Sequence, residues 1–195
     1  KVSEPHPQIR ILPTDRDSQN ILRMIAQGSL DLGVILFCNV DESTFLREIR
    51  RNHLQFEELL SDEMCFVVRN GHPLAEKHHV TFAEILNYPY YTYHDALNDK
   101  TMELFLSHNP ELDIVQLDNR DLLRHLLLYS DASTLMPFSS MQGMLEHYPG
   151  LTYLHLEDFS YRCRIGWLHN QEPLSPLEKV VVTALQSAAH ALTNA

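Results

Sequence analysis

The stretch QIRILPTDRDSQNILRMIAQGSLDLGVIL, residues 8–36, decides the fold. It opens with the alternation of a strand, and polar residues 14–18 follow, several of which can cap a helix. The next apolar residues share one helical face: Ile21, Leu22 and Ile25. Gly28 lies where a helix would end in a left-handed residue, and residues 30–36 form the apolar run of a strand covered on both faces. The stretch therefore predicts a βαβ unit.

The turn between the predicted strand and helix has two interpretations. Backbone N–H groups at a helix start lack intrahelical partners, and the helix dipole adds positive charge there. With the hydroxyls of Thr14 and Ser18 beside them, these groups can hold a small anion. Asp17 or Ser18 can instead simply cap the helix, which is the commoner role of such residues at a helix start. The pattern leaves both interpretations open.

Size and charge narrow the function classes. The chain of 195 residues can form one domain or two small ones. Its net charge of −11 and its lack of basic runs argue against nucleic-acid binding by these residues. We find no transmembrane-length apolar run and no signal peptide, so nothing indicates export. The chain starts at Lys1 rather than Met, so a preceding segment can have been removed.

Cysteine and histidine usage gives no sign of a cofactor. An odd number of cysteines, three, without a CxxC pair suits a reducing cytoplasm. Cys38 would be a redox sensor if a neighbouring helix start lowered its pKa, but no resolving cysteine lies nearby. Three histidines cluster in sequence without completing a metal-ligand spacing: His72, His78 and His79. The chain also lacks a GxSxG elbow, a Gly-rich phosphate loop and an HExxH motif, so we expect neither a cofactor nor catalysis.

Strands and helices alternate along the rest of the chain, which indicates parallel sheets in an α/β fold. Predicted strands cover residues 53–60, 64–68, 90–93, 113–117, 133–137, 151–156 and 162–168. Predicted helices begin at the capping-box spacing of residues 81–84 and cover residues 100–107, 122–129, 141–147 and 174–192. Residues 38–52 are interpreted as a loop or surface segment. The pattern divides near Tyr88 and Pro89 and returns near residues 161–164.

An ordered set of short motifs now carries a resemblance. The motifs are HPQIRI at 6–11, GSLDLGV at 28–34, GHPLA at 71–75, LMP at 135–137 and LSP at 174–176. In this order and spacing, the chain resembles the effector-binding (regulatory) domain of LysR-type transcriptional regulators. The resemblance implies two Rossmann-like α/β subdomains in a periplasmic-binding-protein-like (type 2) fold, with a ligand cleft between them.

The resemblance also implies boundaries and partners. Subdomain I would comprise residues 1–88 plus 164–195, and subdomain II residues 89–163. The winged helix-turn-helix domain that precedes this domain in the family would be absent from this chain, and DNA would be contacted only through that domain. The partners implied are a small-molecule effector and a second copy in a homodimer, with a tetramer as an alternative for the full-length protein. No membrane contact is implied.

In such proteins the ligand is held by turns at strand ends and by helix N-termini. The candidates in subdomain I are Thr14, Asp15, Arg16, Ser18, Phe37 and Cys38. The candidates in subdomain II are Thr92, Tyr93, His94, Pro137, Phe138 and Ser139. Arg16 can form a bidentate pair with an effector carboxylate or pair with a neighbouring aspartate in solvent. His94 can bind ligand or sense pH, or have a surface or capping role.

The leading hypothesis is a cytoplasmic domain that senses a small, anionic metabolite. It would pass the signal to a DNA-binding domain through rearrangement of the dimer or tetramer. The alternative is the solute-binding protein of a transport system, which has the same fold. An enzyme on this fold would need converging acid–base residues, for which only His94 and Asp15 can be nominated.

Overall fold

The structure, a computed structural model, describes residues 16–93 and 99–193. Its helices are α1 Ser18–Ala26, α2 Glu42–Arg51, α3 Phe82–Ile85, α4 Asp99–His108, α5 Arg120–Leu128, α6 Met141–His147 and α7 Pro176–Thr193. Its strands are β1 Gly33–Cys38, β2 Leu54–Arg69, β3 His79–Val80, β4 Tyr90–Tyr93, β5 Ile114–Leu117, β6 Thr134–Pro137, β7 Leu151–Leu156 and β8 Arg162–Asn170. Short 3₁₀ turns cover Ala75–Lys77 and Phe138–Ser140. The first predicted strand lies outside the described residues.

Local sequence signals set the ends of several helices as predicted. Asp17 caps α1, and its carboxylate accepts a hydrogen bond from the backbone N–H of Asn20. Gly28 follows α1 with φ of +70°, which a residue without Cβ adopts at little cost. The capping box at Thr81 is confirmed, because its hydroxyl accepts from the N–H of Glu84 while that residue's carboxylate accepts from the N–H of Thr81.

The interpretation of residues 38–52 as a loop or surface segment is wrong, because α2 occupies most of it. Phe45 and Ile49, one helical turn apart, are buried, while charged residues between them face solvent. Most of the segment is polar, so this narrow apolar stripe escaped the sequence analysis.

The prediction of parallel sheets is only partly correct: the two-stranded sheet of β4 and β5 is parallel, but the six-stranded sheet is mixed. The strand β2 is one continuous element that includes both of the separate strands predicted in this region. It pairs antiparallel with β6 and β7, whereas β3 pairs parallel with β7 and β4 parallel with β5. Alternation of strands and helices does not encode the direction in which β6 and β7 return beside β2.

The chain divides into two compact units. Among the described residues, unit 1 comprises 16–37, 42–61 and 164–193, and unit 2 comprises 38–41, 62–93 and 99–163. The predicted division differs from this one in residues 38–41 and 62–88, which belong to unit 2. The strand β3 within this segment pairs with β7, and the ring of Phe82 packs on those of Phe66 and Phe105.

Unit 1 has the strand order β1-β8-β2. Helices α1 and α2 cover one face of it, and their apolar residues share a core with the strands: Ile21, Leu22, Ile25, Ile35, Phe37, Phe45, Ile49, Leu54 and Leu168. The guanidinium of Arg164 donates to the carboxylates of Glu42 in α2 and Glu58 in β2, each at 2.5 Å. The same guanidinium lies 5.3 Å from the ring centre of Phe56.

Unit 2 is built on the second half of β2, which is buried on both faces. One face packs against α5 and α6 through Cys65, Val67, Leu123, Leu127, Ala132, Met141, Met144 and Leu151. The other face carries Phe66, whose ring belongs to an aromatic cluster with Phe82, Tyr90 and Phe105.

Within the described parts of both units, we find no helix long and apolar enough to cross a membrane.

Candidate functional site

The start of α1 shows which interpretation of the first turn applies at Asp17. The N–H of Asn20 donates to the Asp17 carboxylate at 2.6 Å, and the Asn20 side chain donates to the same carboxylate. This acid supplies the negative charge that the helix N-terminus favours. A ligand anion at the Asn20 amide would have to displace it. The capping interpretation is confirmed at Asp17, while Thr14 and Asp15 lie outside the described residues.

The hydroxyl of Ser18 is hydrogen-bonded to the backbone of β1. Its hydroxyl donates to the carbonyl of Leu36 at 2.8 Å and accepts from the N–H of Leu36 at 3.2 Å. These two bonds bring the start of α1 beside the end of β1, where Phe37 follows. Arg16, which precedes the helix, is exposed. The unit 1 candidates Arg16, Ser18 and Phe37 therefore belong to one end of its sheet.

Phe37 is a core residue. Its side chain is only 1% exposed, and its ring stacks on Phe45 at 5.3 Å and lies 5.1 Å from that of Phe56. Burial alternates along β1, with Ile35 and Phe37 buried and Val34 43% exposed, so the expectation of a strand covered on both faces is wrong. The side chain of Phe37 is on the buried face, which packs against α1 and α2. We therefore expect Phe37 to support a ligand site through packing and not through direct contact.

Cys38 is buried in unit 2, where burial raises the pKa of its thiol to about 12. The thiol interacts with the hydroxyl of Tyr161. A reactive cysteine needs an accessible thiolate near neutral pH. Cys38 has neither property, so its environment does not favour the redox-sensor alternative.

Behind Cys38 lies a buried polar network that the sequence analysis missed. The hydroxyl of Thr101 donates to the carboxylate of Asp41 at 3.1 Å and shares a 2.6 Å hydrogen bond with the hydroxyl of Tyr161. All three side chains are almost fully buried. They come from segments about 60 residues apart, so no local spacing reveals them. The one available signal is the acid Asp41, three residues after the end of the apolar strand β1.

The second group of candidates lies at neighbouring strand ends of unit 2. Tyr90 of β4 forms a parallel bridge with Ser133, which precedes β6. Parallel neighbours end at the same edge of a sheet, so the ends of β4 and β6 lie side by side. Thr92 is buried at this end of β4, and Tyr93 is the last residue of the strand. His94 lies outside the described residues.

The turn after β6 holds the remaining candidates. Pro137 ends β6, and Phe138 and Ser139 enter the 3₁₀ turn that leads into α6. The N–H of Ser139 donates to the carboxylate of Asp62 at 2.7 Å. Asp62 was not among the predicted residues, because it lies 77 positions away. It holds the backbone donor that an anionic ligand would otherwise use.

Phe138 is 38% exposed and belongs to an aromatic cluster on β7. Its ring lies 5.3 Å from those of Tyr153 and His155. His155 in turn stacks on His79 of the adjacent strand at 5.5 Å. This cluster is not apparent from the sequence, since it depends on the pairing of β3 with β7.

The histidines considered as metal ligands do not converge. His72 is buried, its Nδ1 accepts from the N–H of Leu74 and its Nε2 donates to the carbonyl of Asp131, both at 3.1 Å. Both ring nitrogens are therefore used within unit 2. Across residues 16–93 and 99–193, we find no group of three or more His, Cys, Asp or Glu residues arranged to hold a metal ion.

Comparisons with known proteins place this geometry in a family. The model of the LysR substrate binding domain matches residues 1–190. Among solved structures, the effector-binding domain of QuiR in complex with shikimate aligns with a TM-score of 0.69 and 17% identity, covering 97% of this chain and 87% of that one. The BenM effector-binding domain with its effector benzoate aligns at 0.68 and 16%, covering 97% and 83%.

A longer relative gives the same fold. HinK, a LysR family transcriptional regulator from Pseudomonas aeruginosa, aligns with a TM-score of 0.66 and 14% identity, covering 96% of this chain and 62% of that one. No curated protein sequence matches this chain. The structural matches confirm the predicted α/β, periplasmic-binding-protein-like type 2 fold. Because the family model spans nearly the whole sequence, the chain belongs to the LysR substrate-binding domain family of transcription regulators.

Proposed function

We propose that this chain senses a small, anionic metabolite for a LysR-type transcription regulator. The effector is bound in the inter-subdomain cleft that the family resemblance implies. Binding is passed to the DNA-binding domain of the full-length protein through rearrangement of a homodimer or a tetramer. Such a regulator acts on DNA, so we place it in the cytoplasm, and we propose no catalytic reaction for it. The effector must bind one arrangement more tightly than the other to have any effect.

The observation that carries this proposal is the family match over residues 1–190. It also favours a regulator over the solute-binding protein of a transporter, which has the same fold. Two structural relatives contain shikimate and benzoate, and both molecules carry a carboxylate. These relatives support an organic acid as the effector of this domain.

Two aspartates of the chain bear on which groups the effector carboxylate would contact. Asp17 already accepts from the Asn20 amide, and Asp62 already accepts from the Ser139 amide. A second carboxylate at either amide would meet a like charge and would have to displace it. We infer that side-chain hydroxyls contribute to effector binding, among them that of Thr92, which is buried at the carboxyl end of β4.

A ligand screen tests the proposal. We expect at least one acid among shikimate, benzoate, other aromatic acids and amino acids to raise the melting temperature of the chain, because a ligand that binds only the folded state stabilises it. The affinity of that acid is then measured by calorimetry. Thr92→Val should weaken binding about tenfold, the effect of one lost hydrogen bond to a charged group.

Thr152→Val is the matched control, since Thr152 is a strand threonine of unit 2 that lies on β7 and outside the candidate set. It should leave the affinity within about twofold. If no acid raises the melting temperature, the effector is not a small organic acid. If an acid binds equally well to the Thr92→Val chain, Thr92 is not its donor.

A further inference from the structure

A groove in unit 1 between α1 and α2 has the size of a small-molecule site. It encloses about 440 Å³, within the range of roughly 300–1,000 Å³ typical of ligand pockets. Leu22 from α1 and Phe45 from α2 line it, and both belong to the buried core of the unit. None of the residues that line it is among the candidate effector-binding residues.

Two arginines from different helices border this groove, Arg23 from α1 and Arg51 from α2. Within the described residues, the guanidinium of Arg23 has no hydrogen-bond or ion-pair partner. Arg51 is 78% exposed, and its guanidinium lies 3.7 Å from the carboxylate of Glu48, a loose contact that costs little to open. In a chain of net charge −11, the two arginines therefore place positive charge beside the apolar side chains of Leu22 and Phe45.

Two further residues of the groove, Asn52 and Thr44, provide hydrogen-bonding groups. Asn52 donates through its side-chain N–H to the carbonyl of Glu48 at 2.8 Å, which fixes the amide and leaves its oxygen as an acceptor. Thr44 adds a hydroxyl on the same helix. A molecule that satisfies this lining has an anionic group for the arginines and an apolar body for Leu22 and Phe45.

A purely structural role explains less of the arrangement. Basic residues in the last turn of a helix interact favourably with its dipole, which accounts for both Arg50 and Arg51. Arg23 likewise lies in the last turn of α1, so the dipole accounts for its position along that helix, but it does not account for the meeting of two arginines from different helices at one groove. Arg50 is exposed and does not line the groove, so it is the natural comparison for Arg51.

We propose that the α1–α2 groove binds a small organic anion, separate from the effector of the proposed function. Arg23 and Arg51 hold its carboxylate, and Leu22 and Phe45 contact its apolar part. Glu48 competes with the ligand for Arg51. The site is contained within unit 1, so its occupation can be measured whether or not the effector is known.

The experiment is an NMR titration of the ¹⁵N-labelled chain with phenylacetate, using phenylacetamide as the neutral probe of the same shape. Phenylacetate should shift the amide signals of Thr44 and Asn52 with a dissociation constant of about 1 mM or tighter. Phenylacetamide should bind at least ~5-fold more weakly, because it gives the arginines no charge partner. Arg23→Gln and Arg51→Gln should each weaken phenylacetate binding ~5-fold or more.

The control variants decide between this site and general charge attraction. Arg50→Gln removes the same charge from the same helix and should leave the affinity within about twofold. Glu48→Gln should strengthen binding, because it frees Arg51 and removes a repelling carboxylate. The proposal is overturned if the shifts at Thr44 and Asn52 are absent, if the amide binds as tightly as the acid, or if Arg50→Gln weakens binding as much as Arg51→Gln. None of these outcomes bears on Thr92, so the two proposals fail independently.

Discussion

The hydroxyl of Ser18 is hydrogen-bonded to both backbone groups of Leu36, donating to its carbonyl at 2.8 Å and accepting from its N–H at 3.2 Å. The first residue of α1 thereby bonds to the backbone of β1 near the end of that strand. A partly buried backbone N–H or carbonyl group that has no hydrogen-bond partner destabilises the folded state. The contact therefore fixes the position of the helix start relative to the strand end.

Ser18→Ala should lower the free energy of unfolding by about 1–3 kcal/mol, because it leaves the N–H and carbonyl of Leu36 without their partner. Urea unfolding followed by circular dichroism measures this change. Ser29→Ala is the control: its hydroxyl donates to the carbonyl of Met24 at an exposed position, so its loss should cost less than about 0.5 kcal/mol. Equal effects of the two substitutions would show that the Ser18 contact is not stabilising.

Gly33→Ala should destabilise the same helix–strand contact by about 1–3 kcal/mol. A Cβ at position 33 would lie 2.2 Å from Cγ2 of Ile21 and 2.9 Å from Cδ1 of Ile25, so α1 would have to move away from β1. Gly143→Ala is the matched control, since a Cβ there meets nothing within 4 Å, and in α6 it should stabilise by about 0.5–1 kcal/mol. Thermal unfolding of both variants compares them directly. Gly33→Ala with an unchanged melting temperature would contradict the close packing.

The features that the sequence predicted are those set by neighbouring residues. The cap at Asp17, the left-handed Gly28 and the capping box at Thr81 each depend on contacts within a few positions, and all three are in the structure. The ordered motifs also predicted the fold, because together they fix the succession of elements across the whole chain.

The features that the sequence missed depend on distant contacts. Asp62 bonds to the Ser139 amide across 77 positions, and Thr101 reaches Asp41 across 60. The direction of β6 and β7 relative to β2 is likewise a property of the folded chain. No pattern in a short window distinguishes a buried acid with partners from an exposed one. The candidate site was therefore predicted at the level of strand ends, without the acids that occupy its backbone donors.

His72 makes stability depend on pH. Burial lowers its pKa from the ordinary 6.5, and its Nδ1 accepts from the N–H of Leu74, which requires the neutral ring. A group whose pKa is lowered in the folded state binds its proton more tightly in the unfolded state. The contribution of His72 to the free energy of unfolding is therefore fully present above pH 6.5 and is lost as the pH falls below that value. We expect this group to contribute a loss of up to about 1.4 kcal/mol per pH unit in that window.

The measurement is urea unfolding of the native chain and of His72→Asn at about pH 7.5 and about pH 5.5. The native chain should lose more stability on acidification than the variant does, and the difference isolates His72 from the other histidines. A variant at position 72 with the same pH dependence as the native chain would assign the effect to other groups.

The three cysteines should be unreactive in the native protein. All are buried, and burial raises the pKa of Cys38 and of Cys65 to about 12 and raises that of Cys163 as well. Reaction with Ellman's reagent needs an accessible thiolate, so each thiol must wait for the chain to open. We expect slow reaction in buffer and rapid reaction of all three thiols in urea.

Cys38→Ser should reduce the final number of reactive thiols by one without removing a fast phase, because no thiol reacts ahead of the others. A fast phase in the native chain that disappears in Cys38→Ser would instead identify Cys38 as an exposed, low-pKa thiol and restore the redox-sensor alternative.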